Sequence, residues 1–91
     1  MATLHLIRSN GFTCSKLDQC LSVLQQQDIL LLIDDGVYNV AHSSIATIDN
    51  QWFALSSHMQ ARGLSSTAEN VIGYQKMVEL TEQATKVITW Q

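Results

Sequence analysis

A chain of 91 residues is expected to form a single domain over residues 1–91, because it can bury roughly 60 to 70% of its unfolded surface around one core but has no length for a second. Apolar residues make up 46% of it and charged residues 14%, which excludes a disordered chain and leaves few charges for a free monomer, so some surface is expected to lie against partners. The net charge is −3 and the basic residues Arg8, Lys16, Arg62, Lys76 and Lys86 are scattered, which excludes a basic patch for direct nucleic-acid binding.

The longest apolar run, residues 29–33, is far below the roughly 20 residues that span a bilayer. The first residues carry no charged segment ahead of a long apolar core, so a cytoplasmic protein is expected, without membrane attachment. The two cysteines, Cys14 and Cys20, match neither a CxxC redox pair nor a zinc-ligand spacing, and in a reducing cytoplasm they are expected as free thiols.

In chain order, residues 4–8 alternate weakly and predict a first strand, closed by the turn residues Ser9, Asn10 and Gly11. Ser15 is placed to cap a helix with Asp18 at its third position, an imperfect capping box, and Leu17, Cys20, Leu21 and Leu24 share one helical face. Residues 29–33 predict a second strand. Its lack of alternation places it at the centre of a parallel sheet with both faces covered. Beyond Gly36, the residues Val37, Val40, Ala41, Ser44, Ile45 and Ile48 keep helical spacing, predicting a helix up to the turn at residues 49–51. Residues 52–55 predict a third strand. Ser57 then caps a short helix through Arg62, with Gly63 where a left-handed residue ends a helix. Residues 70–73 form a weak fourth strand, 75–83 a helix and 86–90 a fifth strand. The alternation predicts a three-layer α/β/α sandwich with a mainly parallel sheet of about five strands.

In such sheets ligands bind outside the carboxyl ends of the strands, which draws attention to the turn Asp34-Asp35-Gly36, with Tyr38 just beyond it. Neighbouring side chains of an extended chain point apart, so the two carboxylates are expected to serve a turn and a helix cap rather than to converge on a metal. Cys20, on the apolar face of the first helix, reads as a core residue. Cys14 precedes that helix beside Lys16 and reads as the better nucleophile on chemistry alone. His5, His42 and His58 show no metal-ligand spacing and are expected at or near the surface; no GxSxG, GxGxxG or Walker A pattern occurs. No cofactor is implied. Trp52, Phe53 and Trp90 are expected to pack in the core or at a subunit interface.

The order and spacing of residues 4–9, of Asp35-Gly36-Val37-Tyr38 after an apolar strand, of Ala61-Arg62-Gly63-Leu64, and of Tyr74, residues 78–81 and Trp90 together resemble the TusB/DsrH family of sulfur-relay proteins, which have a DsrE-like fold. The resemblance implies a subunit that assembles with TusC/DsrF-like and TusD/DsrE-like sister subunits, two copies of each, in a heterohexamer. In the TusBCD branch such a complex relays persulfide sulfur, by way of a TusE/DsrC-like acceptor, towards 2-thiolation of the tRNA wobble uridine; in the DsrEFH branch a similar complex serves sulfur oxidation. It further implies an accessory role, since the main sulfur carrier lies in the TusD/DsrE subunit, and makes Cys20, which matches a first-helix cysteine of DsrH-type members, a candidate persulfide acceptor, with Cys14 a weaker one. The sequence departs from the family at Ser57-His58 and Gly73, where acidic residues are usual, and in residues 65–73, which run about three residues short. A stand-alone homo-oligomeric binding or regulatory domain of the same fold remains the alternative.

Overall fold

The computed structural model describes residues 3–64 and 70–91. The apolar run after Asp28 forms β2 (Ile29–Leu32), the middle strand of a five-stranded, all-parallel sheet. β1 (Thr3–Ile7) and β3 (Trp52–Leu55) flank it, and β4 (Val71–Ile72) and β5 (Lys86–Trp90) form the edges, in the order β4-β3-β2-β1-β5. Leu30, Leu31 and Leu32 are fully buried, as a strand covered on both faces requires.

The steps from β1 to β4 all move in one direction, so right-handed crossovers put their helices on one face. These are α1 (Lys16–Ser22), a 3₁₀ segment (Asp34–Ala41), α2 (Ser43–Ala46) and α3 (Ser56–Ala61). They seal a core of Ile7, Leu30, Leu32 and Ala54 with Leu17, Cys20, Val37, Ile45 and Met59. The return from β4 to β5 recrosses the sheet and carries α4 (Tyr74–Gln83) to the opposite face. There Leu4, Leu31 and Leu80 make a smaller cluster.

Several local expectations are corrected. The predicted helix beyond Gly36 is two elements: the 3₁₀ segment ends at Ala41, and His42 is extended (φ −76°, ψ 135°) and accepts the Ser44 N–H on Nδ1 at 3.1 Å, starting α2. β-branched Val37 and Val40 and the poor helix formers Gly36 and Asn39 leave little propensity for one long α-helix. Neither Asp34 nor Asp35 caps it, because Ile33 occupies the cap position. Ser57 lies inside α3, which begins after Leu55 without a side-chain cap. Ser15 does precede α1, but its hydroxyl accepts from Gln19 Nε2 at 3.1 Å and makes no cap bond. Leu24 lies beyond the end of α1. Gly63 has φ +69°, the left-handed conformation expected of it. Part of the shortened 65–73 segment lies outside the described residues.

Candidate functional site at the carboxyl rim

Parallel strands deliver their carboxyl ends to one edge, and here that edge gathers Arg8 after β1, Asp34 and Asp35 after β2, His58 in α3 after β3, and Tyr74 after β4. The turn after β2 is held tightly against β1. Ile33 donates its N–H to the Ile7 carbonyl at 3.0 Å and Gly36 donates to Ile33 at 2.8 Å. A Cβ on Gly36 would overlap the Ile7 carbonyl oxygen, so only glycine fits there.

Asp34 has φ +50°, a left-handed conformation that an aspartate tolerates better than most residues. Its N–H donates to His58 Nδ1 at 2.8 Å and its carboxylate accepts Arg8 Nε at 2.7 Å. Because Nδ1 accepts, the ring proton of neutral His58 sits on Nε2, which donates to the Tyr74 hydroxyl at 3.2 Å. Arg62 donates Nε to Asp35 at 2.9 Å and Nη1 to the His58 carbonyl at 3.2 Å. The carboxylates therefore diverge, each to its own arginine, although both lie in the 3₁₀ segment and not on the extended chain from which divergence is expected. Both pairs face solvent and contribute at most about 1 kcal/mol each. Between them Arg8, Ser9, Asp34, Asp35 and Gln91 line a shallow cleft. Tyr38 is half-buried in the second turn of the 3₁₀ segment.

The cysteines are set apart from this rim network by burial and position. Cys14 is exposed in the loop before α1, its N–H donating to the Asn10 carbonyl at 3.2 Å. Cys20 is fully buried between α1 and the sheet. Burial first, and the negative charge of Asp28 second, push its thiol up to about 12, so near neutrality it is a protonated thiol.

A second polar cluster, absent from the sequence reading, lies inside the molecule. His5, expected near the surface, is 2% exposed and Asp28 5%. Trp90 Nε1 donates to His5 Nδ1 at 3.0 Å, so the ring proton lies on Nε2 and is given to Asp28 at 2.9 Å. Asp28 also accepts the N–H groups of Thr3 at 3.2 Å and Gln25 at 3.1 Å. Burial alone would raise its carboxyl, but the hydrogen bonds from His5, Gln25 and Thr3 outweigh it and hold the group below the usual carboxylate range. With both ring nitrogens engaged, His5 has no free base to offer Cys20. Asp28 and Trp90 lie 23 and 85 positions from His5, and the one sequence signal of the cluster is an apolar strand interrupted by a histidine. Among the described residues no three His, Cys, Asp or Glu side chains converge to hold a metal ion.

The family model for DsrH-like proteins matches residues 9–87. Among solved structures, the chain is similar to the solution NMR structure of the protein Tm0979 from Thermotoga maritima, with a TM-score of 0.68 and 25% identity over 90% of this chain and 92% of that one. No curated protein matches the sequence.

Proposed function

The chain belongs to the DsrH-like family, a family of sulfur-relay subunits, and on that premise we propose that it is an accessory subunit of a cytoplasmic complex delivering persulfide sulfur for 2-thiolation of the tRNA wobble uridine. Its partners in this reading are TusC/DsrF-like and TusD/DsrE-like sister chains in a heterohexamer, with a TusE/DsrC-like protein as the next acceptor. The acidic balance suits a subunit that hands sulfur between proteins rather than gripping tRNA.

The observation that carries the accessory role is the burial of Cys20. A sulfur carrier must present a thiolate to a donor persulfide, whereas Cys20 is sealed in the core with its thiol raised to about 12. Cys14 is accessible, and a transfer to it would be attack of its thiolate on the donor's outer sulfur, the donor cysteine leaving as a thiolate. The test is sulfur delivery by a complex reconstituted from this chain and its sister subunits, with Cys20→Ser and Cys14→Ser compared with wild type. Delivery is expected to change less than about twofold in either variant, with the added mass of about 32 Da per sulfur appearing on a sister chain. Loss of delivery in Cys20→Ser, or persulfide mass on this chain, would replace the accessory role with a carrier role. No sister chain purifying with the protein from its own cells would return it to a stand-alone domain.

A further inference from the structure

His58 stands where strand ends meet, and the two nitrogens of its ring hold different kinds of partner. Nδ1 accepts from the Asp34 N–H at 2.8 Å, and Nε2 lies 3.2 Å from the Tyr74 hydroxyl. A main-chain N–H can only donate, so the first of these bonds exists only while Nδ1 keeps a free lone pair. Histidine is the side chain that ordinarily gains a proton between about pH 5 and 8, and a protonated ring is a donor at both nitrogens. Two donors then face each other at the Asp34 peptide.

An alternative partner for the protonated ring is already in place. Asp34 gives Oδ2 to Arg8 at 2.7 Å, while its Oδ1 lies 3.7 Å from His58 Nδ1, so a ring movement of roughly 1 Å makes a charge-assisted hydrogen bond there. His58 is 24% exposed, and a proton reaches it from solvent without any opening of the core. The contact with Tyr74 finds a donor on Nε2 in both states and serves as the pivot. The rest of the turn is fastened independently of the imidazole: Ile33 donates to the Ile7 carbonyl, Gly36 to the Ile33 carbonyl, and Arg62 links Asp35 to the His58 carbonyl. The N–H of Asp34 is what the ring itself holds, and Asp34 has φ +50°, a conformation that a non-glycine residue keeps only where its surroundings impose it.

We propose that His58 is a proton-operated latch on the turn after β2. The neutral ring holds the Asp34 N–H and with it the left-handed turn. The protonated ring moves Nδ1–H onto the Asp34 carboxylate, which it then shares with Arg8, and releases the Asp34 N–H. Among the described residues, the charged groups around the ring are Asp34 and Asp35 on the 3₁₀ segment, Arg8 after β1 and Arg62 on α3 itself. Tyr74 on α4 and Tyr38 further along the 3₁₀ segment bring phenol hydroxyls, and β3 and β4 carry no ionisable side chain. The two aspartates and two arginines balance, so uptake of the proton gives the rim a net positive charge while it changes which groups donate there. The step falls at the edge where a parallel sheet meets its ligands, and it does not depend on the relay assignment.

The test is a nuclear magnetic resonance titration of the isotopically labelled full chain from about pH 8 to about pH 5. At the upper end the His58 ring is expected as the Nε2–H tautomer. On acidification the Asp34 amide should shift with the same midpoint as the His58 ring, and lose about tenfold or more of its exchange protection relative to an unstructured amide at the same pH. The Gly36 amide, bonded to the Ile33 carbonyl, should keep its protection throughout. In His58→Asn a side-chain carbonyl oxygen stands in for Nδ1 and accepts at every pH, so the Asp34 amide should show no step in that range; in His58→Ala it should be unprotected across it. Should either variant fail to fold, the wild-type titration decides by itself. An Nδ1–H tautomer at the upper end, an Asp34 amide that does not follow the His58 ring, or a step that persists in His58→Asn would overturn the proposal.

Discussion

Asp28 concentrates the most consequential electrostatics of the molecule in one side chain. One nearly buried carboxylate accepts from His5, Thr3 and Gln25, and each donor would be left in an apolar interior without it. Asp28→Asn keeps the shape but turns an N–H₂ towards these donors, so a loss of about 2 to 4 kcal/mol is expected in urea unfolding at pH 7. The pH dependence has a definite sign. The folded carboxyl lies below its unfolded value of about 3.9, so its contribution is complete above that value and disappears as pH falls through the lower, folded pKa. The gap between wild type and Asp28→Asn should therefore narrow as pH falls below about 4. A gap unchanged down to the acid transition would mean that the carboxylate charge is not what the donors require. Residue identity alone could not expose this cluster. Asp28 looks like a loop residue before a strand, and only the pairing of β1 with both β2 and β5 brings His5 between Asp28 and Trp90.

At the scale of elements, the sequence was informative where periodicity carries the signal and silent where a single side chain decides. The five strands, their parallel pairing and the central place of β2 follow from an unbroken apolar run among alternating helical and extended segments. The break of the predicted second helix at His42 is only half legible, because low helix propensity at Gly36, Val37, Asn39 and Val40 hints at it while the tertiary bonds of Asn39 that hold the segment in place have no sequence period. That side chain is fully buried, accepts the Gly11 N–H at 2.7 Å and donates to the Ser9 carbonyl at 3.0 Å. It fastens the loop after β1, which carries Phe12 and Cys14, to the 3₁₀ segment. Gly11 has room only for a hydrogen at that contact, since a Cβ would lie 2.7 Å from Asn39 Oδ1. Asn39→Ala is expected to cost about 2 to 4 kcal/mol and, more tellingly, to raise amide hydrogen exchange at Gly11 before it does so in β2. Equal deprotection of Gly11 and β2 would mean that Asn39 stabilises the whole sheet rather than the joint between two elements. The rim shows the same division: the turn at Gly36 was legible as a turn, but the link from Asp34 through His58 to Tyr74 joins three different strand ends and has no sequence period.

For the molecule as a whole, the topology decides how the core opens. The sheet closes only when β5 pairs beside β1, joining Thr3 to Lys86 across almost the entire chain, and every other strand pair also needs a crossover. Cys20 reports on that closure, because it packs in the cluster with Ile7, Leu30 and Leu32 from both central strands. Its raised thiol keeps it unreactive while folded. In a Cys14→Ser background, alkylation of Cys20 is expected to proceed through the globally unfolded chain, so that its rate under fast reclosing scales with the unfolded fraction. The logarithm of the rate should then rise with urea at the slope of equilibrium unfolding. α1 spans seven residues and ends without a basic residue in its last turn, and it is the element whose local detachment would free Cys20. Detachment of α1 by itself would give a shallow urea dependence and a reactive Cys20 under native conditions. The steep outcome makes the thiol a structural part of the sheet's closure; the shallow one would give a buried cysteine a route to the surface, and with it a physical basis for accepting sulfur.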